Sequence, residues 1–407
     1  MHFAVIAPPL RGHYAPLSHL AVELIARGHR VTFVHHHDAR ALVEAAGADF
    51  VSIGGASPPV SGWTAPMARI RGVLGLSSVF DGMIRFTDMF CREAPAVLRQ
   101  IGADAVLSDQ MEPGGGLVAE HLGLPVVSIA VTLPINREMG IPPPYVGWRY
   151  VPGERGERRN AAGWRVTDLL LRGVGTAIER NAIMLGLPGR RTLEDCLSPL
   201  LQISQMVPAI DYPRRDLPRN FHYTGPLRGS AKDDFEIPAD ERPLVYCTLG
   251  TLQGSRSGLF RKVARACAQL NLRLLITRGG LGGSRHSAEL PGDPLIYDWV
   301  PQQAVLRKAD MVVCHGGMNS VLDPLLAGLP MVVMPLAFEQ AAIAARLQYA
   351  GVTRVVPARS SVQKITKAIA EVSGNPGYRV RAGEVQRQLM QAGGVVRAAD
   401  LIEAAVG

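Results

Sequence analysis

The segment from Trp299 to Gln340 contains side chains that match, one after another, the parts of a sugar nucleotide. Trp299 offers a flat aromatic face for a pyrimidine base, and stacking of this kind contributes about 1–3 kcal/mol per base. The apolar run at residues 310–314 predicts a strand, and the glycine-rich turn that follows it opens a predicted helix. Such a turn favours a diphosphate, because free backbone N–H groups and the positive end of the helix dipole face the anion.

Polar side chains next to this turn suit the remaining parts of such a ligand. Asp323 lies in the first turns of the predicted helix, where its carboxylate can accept hydrogen bonds from ribose hydroxyls. Glu339 and Gln340 are expected to bind sugar hydroxyls. An ordinary strand–turn–helix unit would explain the glycines alone. It would not explain the tryptophan, the pair Asn319 and Ser320, and the acidic–glutamine pair together.

These motifs resemble the donor-binding signature of the UDP-dependent family 1 glycosyltransferases. The resemblance covers WVPQ at residues 299–302, HGGMNS at residues 315–320, then Asp323, then Glu339 and Gln340 at the spacing that the signature requires. It implies that Trp299 stacks on uracil, that the backbone near Val300 pairs with the base, and that Gln302 belongs to the donor site. It also implies a set of residues that hold the diphosphate: Thr251, His315, the Gly317 backbone, Asn319 and Ser320. Many relatives have Asp where this chain has Glu339.

The N-terminal half contains the predicted catalytic pair. His13 follows the first predicted strand and precedes a helix predicted to begin at Ala15, so it lies at the carboxyl end of a strand. A neutral imidazole suits the removal of a proton from an attacking hydroxyl near neutral pH. Asp109, at the end of a later strand, is expected to orient the ring and to stabilise its charged form. The same resemblance implies this pairing of His13 with Asp109.

Strands and helices alternate twice along the chain. Strands are predicted at residues 3–7, 31–34, 105–107 and 126–129, and again at 244–248, 272–276, 311–314 and 331–334. This alternation predicts parallel sheets covered by helices on both faces. We expect two facing Rossmann-like domains with the donor and acceptor cleft between them, the B-type glycosyltransferase fold. The predicted boundaries are an acceptor domain over residues 1–215, a proline-rich linker over 216–243, a UDP-sugar domain over 244–385 and a helical tail over 386–407.

Composition excludes several classes of protein. Of the 407 residues, 47% are hydrophobic and 19% are charged, which favours a globular protein over a disordered one. The five cysteines are scattered without a C-x-x-C pair, which disfavours a disulfide framework or a cysteine zinc site. No nucleic-acid-binding module is recognisable. No apolar run reaches the roughly 20 residues of a membrane span, and the N-terminus has a strand pattern, not a signal peptide.

Two further motifs have simple interpretations. The glycines at residues 279–283 lack dinucleotide spacing, and a loop over the cleft is expected there. His35, His36 and His37 are consecutive near a strand end, where successive side chains point to opposite sides. They therefore make poor ligands for a single metal ion, and no metal site and no cofactor are predicted; UDP-glucose is the expected co-substrate.

Blocks along nearly the whole chain resemble the bacterial glucosyltransferases that act on hydroxylated carotenoids. They include SDQMEPGGGLVAEHLGLPVVSIAVTLPINRE at residues 108–138 and HYTGPLR at residues 222–228. The resemblance implies transfer of glucose from UDP-glucose to carotenoid hydroxyls. Other acceptors remain open, such as a polyketide or another lipophilic alcohol. A UDP-sugar 2-epimerase or a non-catalytic carotenoid carrier are alternatives of other classes.

The net charge of +8 suggests how such a protein reaches an apolar acceptor. Arginines are concentrated between residues 149 and 172, interleaved with Trp148, Tyr150 and Trp164. A mixture of basic and aromatic side chains suits an anionic membrane surface. We therefore expect a cytoplasmic protein that associates peripherally with the inner face of the membrane. The alternative is an ordinary solvated loop and helix.

Overall fold

Two parallel β-sheets organise the chain. The computed structural model describes residues 1–43, 47–55, 59–67, 76–229, 234–254, 256–280 and 290–407. The first sheet has the order β3-β2-β1-β4-β5-β6-β7. Its strands are β1 His2–Ile6, β2 Arg30–His36, β3 Asp49–Ile53, β4 Ala105–Asp109, β5 Val126–Ala130, β6 Leu201–Ser204 and β7 Phe221–Tyr223.

The second sheet has the order β10-β9-β8-β11-β12-β13, and all its strand pairs are also parallel. Its strands are β8 Leu244–Thr248, β9 Arg273–Thr277, β10 Leu295–Tyr297, β11 Met311–Cys314, β12 Met331–Val333 and β13 Thr353–Val355. The central strands are fully buried, as expected for strands that helices cover on both faces. The predicted fold class, two Rossmann-like parallel sheets, is confirmed.

The helices cover these sheets and connect the strands. Those of the first half are α1 Arg11–Ala26, α2 Val60–Met67, α3 Leu76–Ile101, α4 Pro113–Leu122, α5 Glu154–Leu170 and α6 Arg172–Met184. Those of the second half are α7 Gly250–Gln253, α8 Ser257–Gln269, α9 Gln302–Leu306, α10 Met318–Leu326, α11 Gln340–Tyr349, α12 Val362–Gly374, α13 Pro376–Gln391 and α14 Gly394–Val406. Among the described residues, no helix combines the length and the apolar character that crossing a bilayer requires.

The strand order of each sheet reverses at one point, and ligands of such sheets bind at the carboxyl ends of the strands there. In the first sheet this point lies between β1 and β4, whose ends lead to His13 and to Asp109. In the second sheet it lies between β8 and β11, which lead to Thr251 and to His315. The topology therefore brings four of the predicted site residues to the two reversal points.

The chain crosses between the halves more than once. Strand β7 lies inside the segment 216–243, which the prolines predict to be a linker, and it pairs with β6. The three residues of β7 fit between Pro218 and Pro226, which is enough for one short strand. Helix α14 packs against α1, where Arg27 contacts Asp400 and Glu403 at 2.8 and 2.7 Å. The C-terminal tail thus returns to the N-terminal half, and the domain boundaries remain a prediction.

Trp164 on α5 faces inward, contrary to the surface that the sequence predicts, while Trp148 and Tyr150 are half-buried. Trp164 is 8% exposed, and the Arg137 guanidinium lies 4.8 Å from its ring centre. Tyr150 stacks on Tyr212 at 5.5 Å. The reason is helical spacing, because the buried positions of α5 form one face: Gly156, Asn160, Gly163, Trp164 and Thr167.

A buried ion pair fixes the two halves to each other. Asp211, after β6, is fully buried, and Arg346 on α11 is 1% exposed. The Arg346 Nε donates to Asp211 Oδ1 at 2.8 Å, and Arg214 Nε donates to the other carboxylate oxygen at 3.2 Å. Burial raises the pKa of Asp211, but the two arginines outweigh this effect and the net shift is downward.

We expect Arg346→Met to destabilise the protein by about 3–5 kcal/mol, because it leaves the Asp211 carboxylate buried with one cation fewer. The urea midpoint of unfolding measures this loss. The double variant Arg346→Met with Asp211→Asn should not recover this loss, because the buried Arg214 guanidinium then lacks its carboxylate partner. An unchanged midpoint in the single variant would show that the pair does not hold the halves together.

Candidate active site

His13 and Asp109 form a hydrogen-bonded pair at the reversal point of the first sheet. The distance between His13 Nδ1 and Asp109 Oδ2 is 2.7 Å. Asp109 is fully buried, and its second oxygen accepts from the Met111 N–H at 2.9 Å. A carboxylate only accepts hydrogen bonds, so Nδ1 carries the proton and Nε2 is the basic nitrogen. The geometry is that of a base with an acidic partner that orients it.

Two opposing effects set the pKa of His13. Burial lowers this pKa, whereas the Asp109 charge and hydrogen bond raise it, and Glu339 adds a smaller increase. The net pKa lies above the ordinary value of 6.5. Asp109 therefore makes His13 a stronger base than a buried histidine without a carboxylate neighbour.

Helix α1 begins four residues earlier than predicted, and His13 belongs to its first turn. The prediction missed the first turn at residues 11–14, and Pro16 lies inside α1. Proline has no N–H, so the Gly12 carbonyl four residues earlier has no helical donor. Asn319 of the other half supplies one instead, from Nδ2 to Gly12 O at 2.8 Å.

His315 lies at the reversal point of the second sheet and is 8% exposed. Its ring lies between two glycines, since a Cβ atom on Gly250 would come within 2.7 Å of it and one on Gly317 within 2.5 Å. Gly316, which lies between His315 and Gly317 in the chain, has φ +87°, which few other residues adopt. Burial lowers the pKa of His315 to about 4, so the ring is neutral at physiological pH. Its Nδ1 has no hydrogen-bond partner among the described residues.

The remaining predicted donor residues divide into those that line the cleft and one that does not. Trp299 is 66% exposed and lines the cleft, as a base platform would, while Val300 beneath it is 4% exposed. Asp323 is not part of the cleft lining. One of its oxygens accepts from Gln302 Nε2 and the other from Arg228 Nε, each at 2.6 Å.

The residues predicted to bind the sugar also differ from each other. Glu339 lines the cleft close enough to His13 for each charge to act on the other, and burial raises its pKa. Gln340 uses its amide oxygen to accept from the N–H groups of Leu336 and Ala337 at 2.9 and 3.0 Å. The amide nitrogen of Gln340 is the part that remains for a ligand.

One cleft of about 400 Å³ brings these groups together. The predicted site residues that line it are His13, Thr251, Trp299, Val300, Gln302, His315, Gly317, Asn319, Ser320, Glu339 and Gln340. Its other wall, in the first half, is mainly apolar and comprises Leu10, Trp63, Val79, Met83, Met111, Ile135 and Tyr145. A polar wall that suits a nucleotide sugar thus faces an apolar wall, with His13 between them.

Sequence reasoning missed Arg228 and the apolar wall. Arg228 donates to Asp323, to Asn319 Oδ1 at 2.8 Å and to Gln205 Oε1 at 3.2 Å, so it joins both halves. It ends the block HYTGPLR, whose resemblance to relatives was the only sign of its importance. The apolar wall comes from separate segments with no common spacing.

The two minor motifs lie outside the cleft or only at its edge. His35 is fully buried among aromatic rings, whereas His36, His37 and Asp38 bring ligand atoms within 4.8 Å of one another. His35 alone diverges as the strand positions predict, whereas the rings of His36 and His37 lie 4.2 Å apart because His37 already belongs to the turn after β2. None of the three histidines lines the cleft. Of the glycines at 279–283, Gly279 lines the cleft, and positions 281–283 lie outside the described residues.

Known proteins resemble this chain in sequence along its whole length. Residues 193–386 match the family model described as "UDP-glucoronosyl and UDP-glucosyl transferase". The zeaxanthin glucosyltransferase of Pseudescherichia vulneris is 41% identical, over 100% of this chain and 98% of that protein. The zeaxanthin glucosyltransferase of Pantoea ananas is 37% identical, over 99% and 95%. This chain belongs to the UDP-dependent glycosyltransferase family.

Solved structures agree with this assignment. The glycotransferase of kitacinnamycin has a TM-score of 0.80 and 26% identity, and the match covers 100% of this chain and 99% of that one. The calicheamicin glycosyltransferase CalG4 has a TM-score of 0.79 at 22% identity, which shows the common fold. The protein is accordingly a glycosyltransferase that uses a UDP-sugar.

We expect His13→Ala to lower the rate of glycosyl transfer by about 10²–10⁴-fold with little change in UDP affinity, because it removes the base. In the Asp109→Asn variant, burial still lowers the pKa of His13, but the negative charge of Asp109 that raises this pKa is gone. Since the neutral ring is the base, the acid limb of kcat/KM against pH should move to lower pH, with a lower maximum. If His13→Ala kept more than about a tenth of the rate, His13 would not be the base.

Trp299→Ala should weaken UDP binding by about 1–3 kcal/mol, because the stacking face is lost. Titration calorimetry with UDP measures the change, and Trp299→Phe, which keeps an aromatic face, should lose less. Equal dissociation constants for all three proteins would mean that Trp299 is not the base platform.

Proposed function

We propose that the protein transfers glucose from UDP-glucose to a terminal hydroxyl group of a carotenoid such as zeaxanthin, with inversion at the anomeric carbon. The observation that carries this proposal is the cleft, where the paired His13 lies between a polar donor wall and an apolar wall. The names of the relatives supply the acceptor class, and the apolar wall suits it. A UDP-sugar 2-epimerase would need no apolar wall for an acceptor. A non-catalytic carotenoid carrier would need no base.

The proposed reaction is a single displacement. His13 Nε2 takes the hydroxyl proton as the acceptor oxygen attacks the anomeric carbon of glucose, and the bond from that carbon to the UDP oxygen breaks. Asp109 stabilises the imidazolium that forms, because its carboxylate already accepts from Nδ1. The released proton then leaves His13 to solvent, and UDP departs from the donor wall.

The donor wall has the means to stabilise the leaving diphosphate. Helix α10 begins at Met318, so its first N–H groups and its positive dipole end lie beside the glycine turn. The proposed side-chain contacts to the diphosphate are Thr251, His315, Asn319 and Ser320, with the Gly317 backbone. The chain contains no Asp-x-Asp sequence of the kind that binds a metal–diphosphate complex. We therefore propose that transfer needs no divalent cation and no cofactor.

Contacts with the donor sugar and ribose follow from the same wall. Glu339 and the free amide nitrogen of Gln340 are proposed to bind glucose hydroxyls. The Asp323 carboxylate already accepts hydrogen bonds from Gln302 and Arg228. An ionised carboxylate has about four acceptor positions, so positions remain for ribose hydroxyls. Gln302, which lines the cleft, is the nearer candidate for the ribose.

The proposed acceptor dissolves in membranes, and α5 offers a surface that suits a bilayer. Val166, Leu169 and Leu170 are 57%, 68% and 45% exposed. Arg155, Arg165 and Arg172 lie exposed on or next to this helix and have no ion pair among the described residues. Apolar side chains flanked by free cations are typical of helices that lie in a membrane interface. We propose peripheral binding to anionic lipid at the inner face of the membrane through this surface.

The direct test is incubation with UDP-glucose and a panel of detergent-solubilised lipophilic alcohols that includes zeaxanthin, followed by mass analysis. The expected product is a carotenoid glucoside whose formation persists in EDTA. Glucosylation of polyketides but not of carotenoids would contradict the proposed acceptor. Loss of activity in EDTA with recovery in Mg²⁺ or Mn²⁺ would contradict the metal-independent mechanism.

Leu169→Asp should weaken binding to vesicles of anionic lipid and slow turnover of vesicle-bound carotenoid, while turnover in detergent stays unchanged. Met390 on α13 is 69% exposed, so Met390→Asp is a matched control that should behave like the unsubstituted protein. Vesicle sedimentation at low and high salt measures binding, which salt should weaken. Binding that depends neither on anionic lipid nor on Leu169 would exclude this surface.

A further inference from the structure

A second cavity of about 350 Å³ lies beside the cleft, between α5, α6 and residues 191–194. Ile135 and Tyr145 line both cavities. Tyr145 is close enough to Glu339 in the cleft and to Arg137 in the second cavity for both charges to act on its phenol. These two side chains therefore form the partition between the cleft and the second cavity.

The second cavity has an apolar interior and an ionic rim. Its buried lining includes Trp164, Val174, Ile178 and Leu193, which are at most 8% exposed. Charged side chains at its rim are largely paired with each other, as in the contact between Arg191 and Glu179 at 2.7 Å. Such a space suits an apolar group that extends from the cleft toward the surface.

The lining of this cavity includes Trp164. Its indole is more than nine-tenths buried, yet Nε1 has no hydrogen-bond partner among the described residues. A buried donor without an acceptor costs free energy, so such groups call for an explanation.

We propose that the second cavity receives the conjugated chain of the acceptor when its hydroxylated ring is at His13. This inference rests on the proposed function. A carotenoid is a long, stiff chain with a ring at each end, and the cleft must also hold UDP-glucose. The chain must therefore leave the cleft, and the route past Tyr145 keeps it out of water. The second cavity then selects acceptors by length, whereas the cleft selects the ring.

The test is to fill the second cavity and compare a long with a short acceptor in detergent. Leu171 and Thr176 line it without being fully buried, so Leu171→Trp and Thr176→Trp each add volume there. Both variants should lower kcat/KM for zeaxanthin by at least about tenfold. They should leave unchanged the UDP dissociation constant and kcat/KM for hydroxylated β-ionone, which has the ring without the long chain. Met184→Trp, on the same helix as Thr176 and 56% exposed, is the matched control.

The outcomes separate this inference from the proposed function. If the unsubstituted protein glucosylates zeaxanthin and both filled variants do so equally well, the second cavity does not hold the chain. Equal losses on both acceptors with normal UDP binding would also overturn the inference, since the effect would lie in the cleft. If the unsubstituted protein glucosylates neither acceptor, the proposed function itself fails.

Discussion

The carbonyl oxygen of Gly12 joins the catalytic helix to the donor-binding helix. Pro16 removes the N–H that would bond to this carbonyl within α1, and Asn319 at the start of α10 donates to it instead. Arg228 holds Asn319 in place through its other amide atom and contacts Gln205 of the first half. The proposed base, His13, is thereby positioned by the helix whose N-terminus faces the proposed diphosphate site.

This arrangement has a consequence for catalysis. Asn319 is a proposed diphosphate ligand, yet its amide already bonds to Gly12 and to Arg228. The amide nitrogen of Asn319 has two N–H groups, so one can donate to the diphosphate while the other donates to Gly12. A diphosphate held in this way contacts the same side chain that bonds to the turn containing His13. The rate depends steeply on the placement of reacting groups, so a short connection of this kind couples donor binding to the position of the base.

Two buried histidines illustrate how surroundings assign different roles to one residue type. Burial lowers the pKa of both His13 and His315. Asp109 reverses the shift for His13, which becomes a base whose charged form is stabilised. His315 is enclosed by glycines and has no carboxylate partner, so it stays neutral and suits hydrogen bonding to a phosphate without proton transfer. The two roles follow from the neighbours and not from the ring itself.

The sequence predicts the donor half far better than the acceptor half, for a physical reason. A diphosphate requires a glycine turn, a helix N-terminus and a few polar groups within one short segment, so its site has a fixed spacing. The strands at residues 244–248 and 311–314 that lead to this site agree with β8 and β11, because fully buried strands are continuous apolar runs. The contacts of Asp323 and Asn319 with Arg228 were not predictable, since they join residues more than 90 positions apart.

An apolar acceptor imposes no such spacing. The wall that faces it needs only shape and hydrophobic area, which any apolar residue supplies from any segment that the fold brings near. Leu10, Trp63, Met83 and Ile135 come from three separate connections of the first sheet, and their types alone do not distinguish them from core residues. Residue type alone was also ambiguous for Trp164. Its arginine neighbours suggested a surface position, whereas its spacing along α5 places it on the buried face. We therefore expect acceptor choice to depend on the sizes and positions of these cavities, which substitutions can change while the donor segment stays intact.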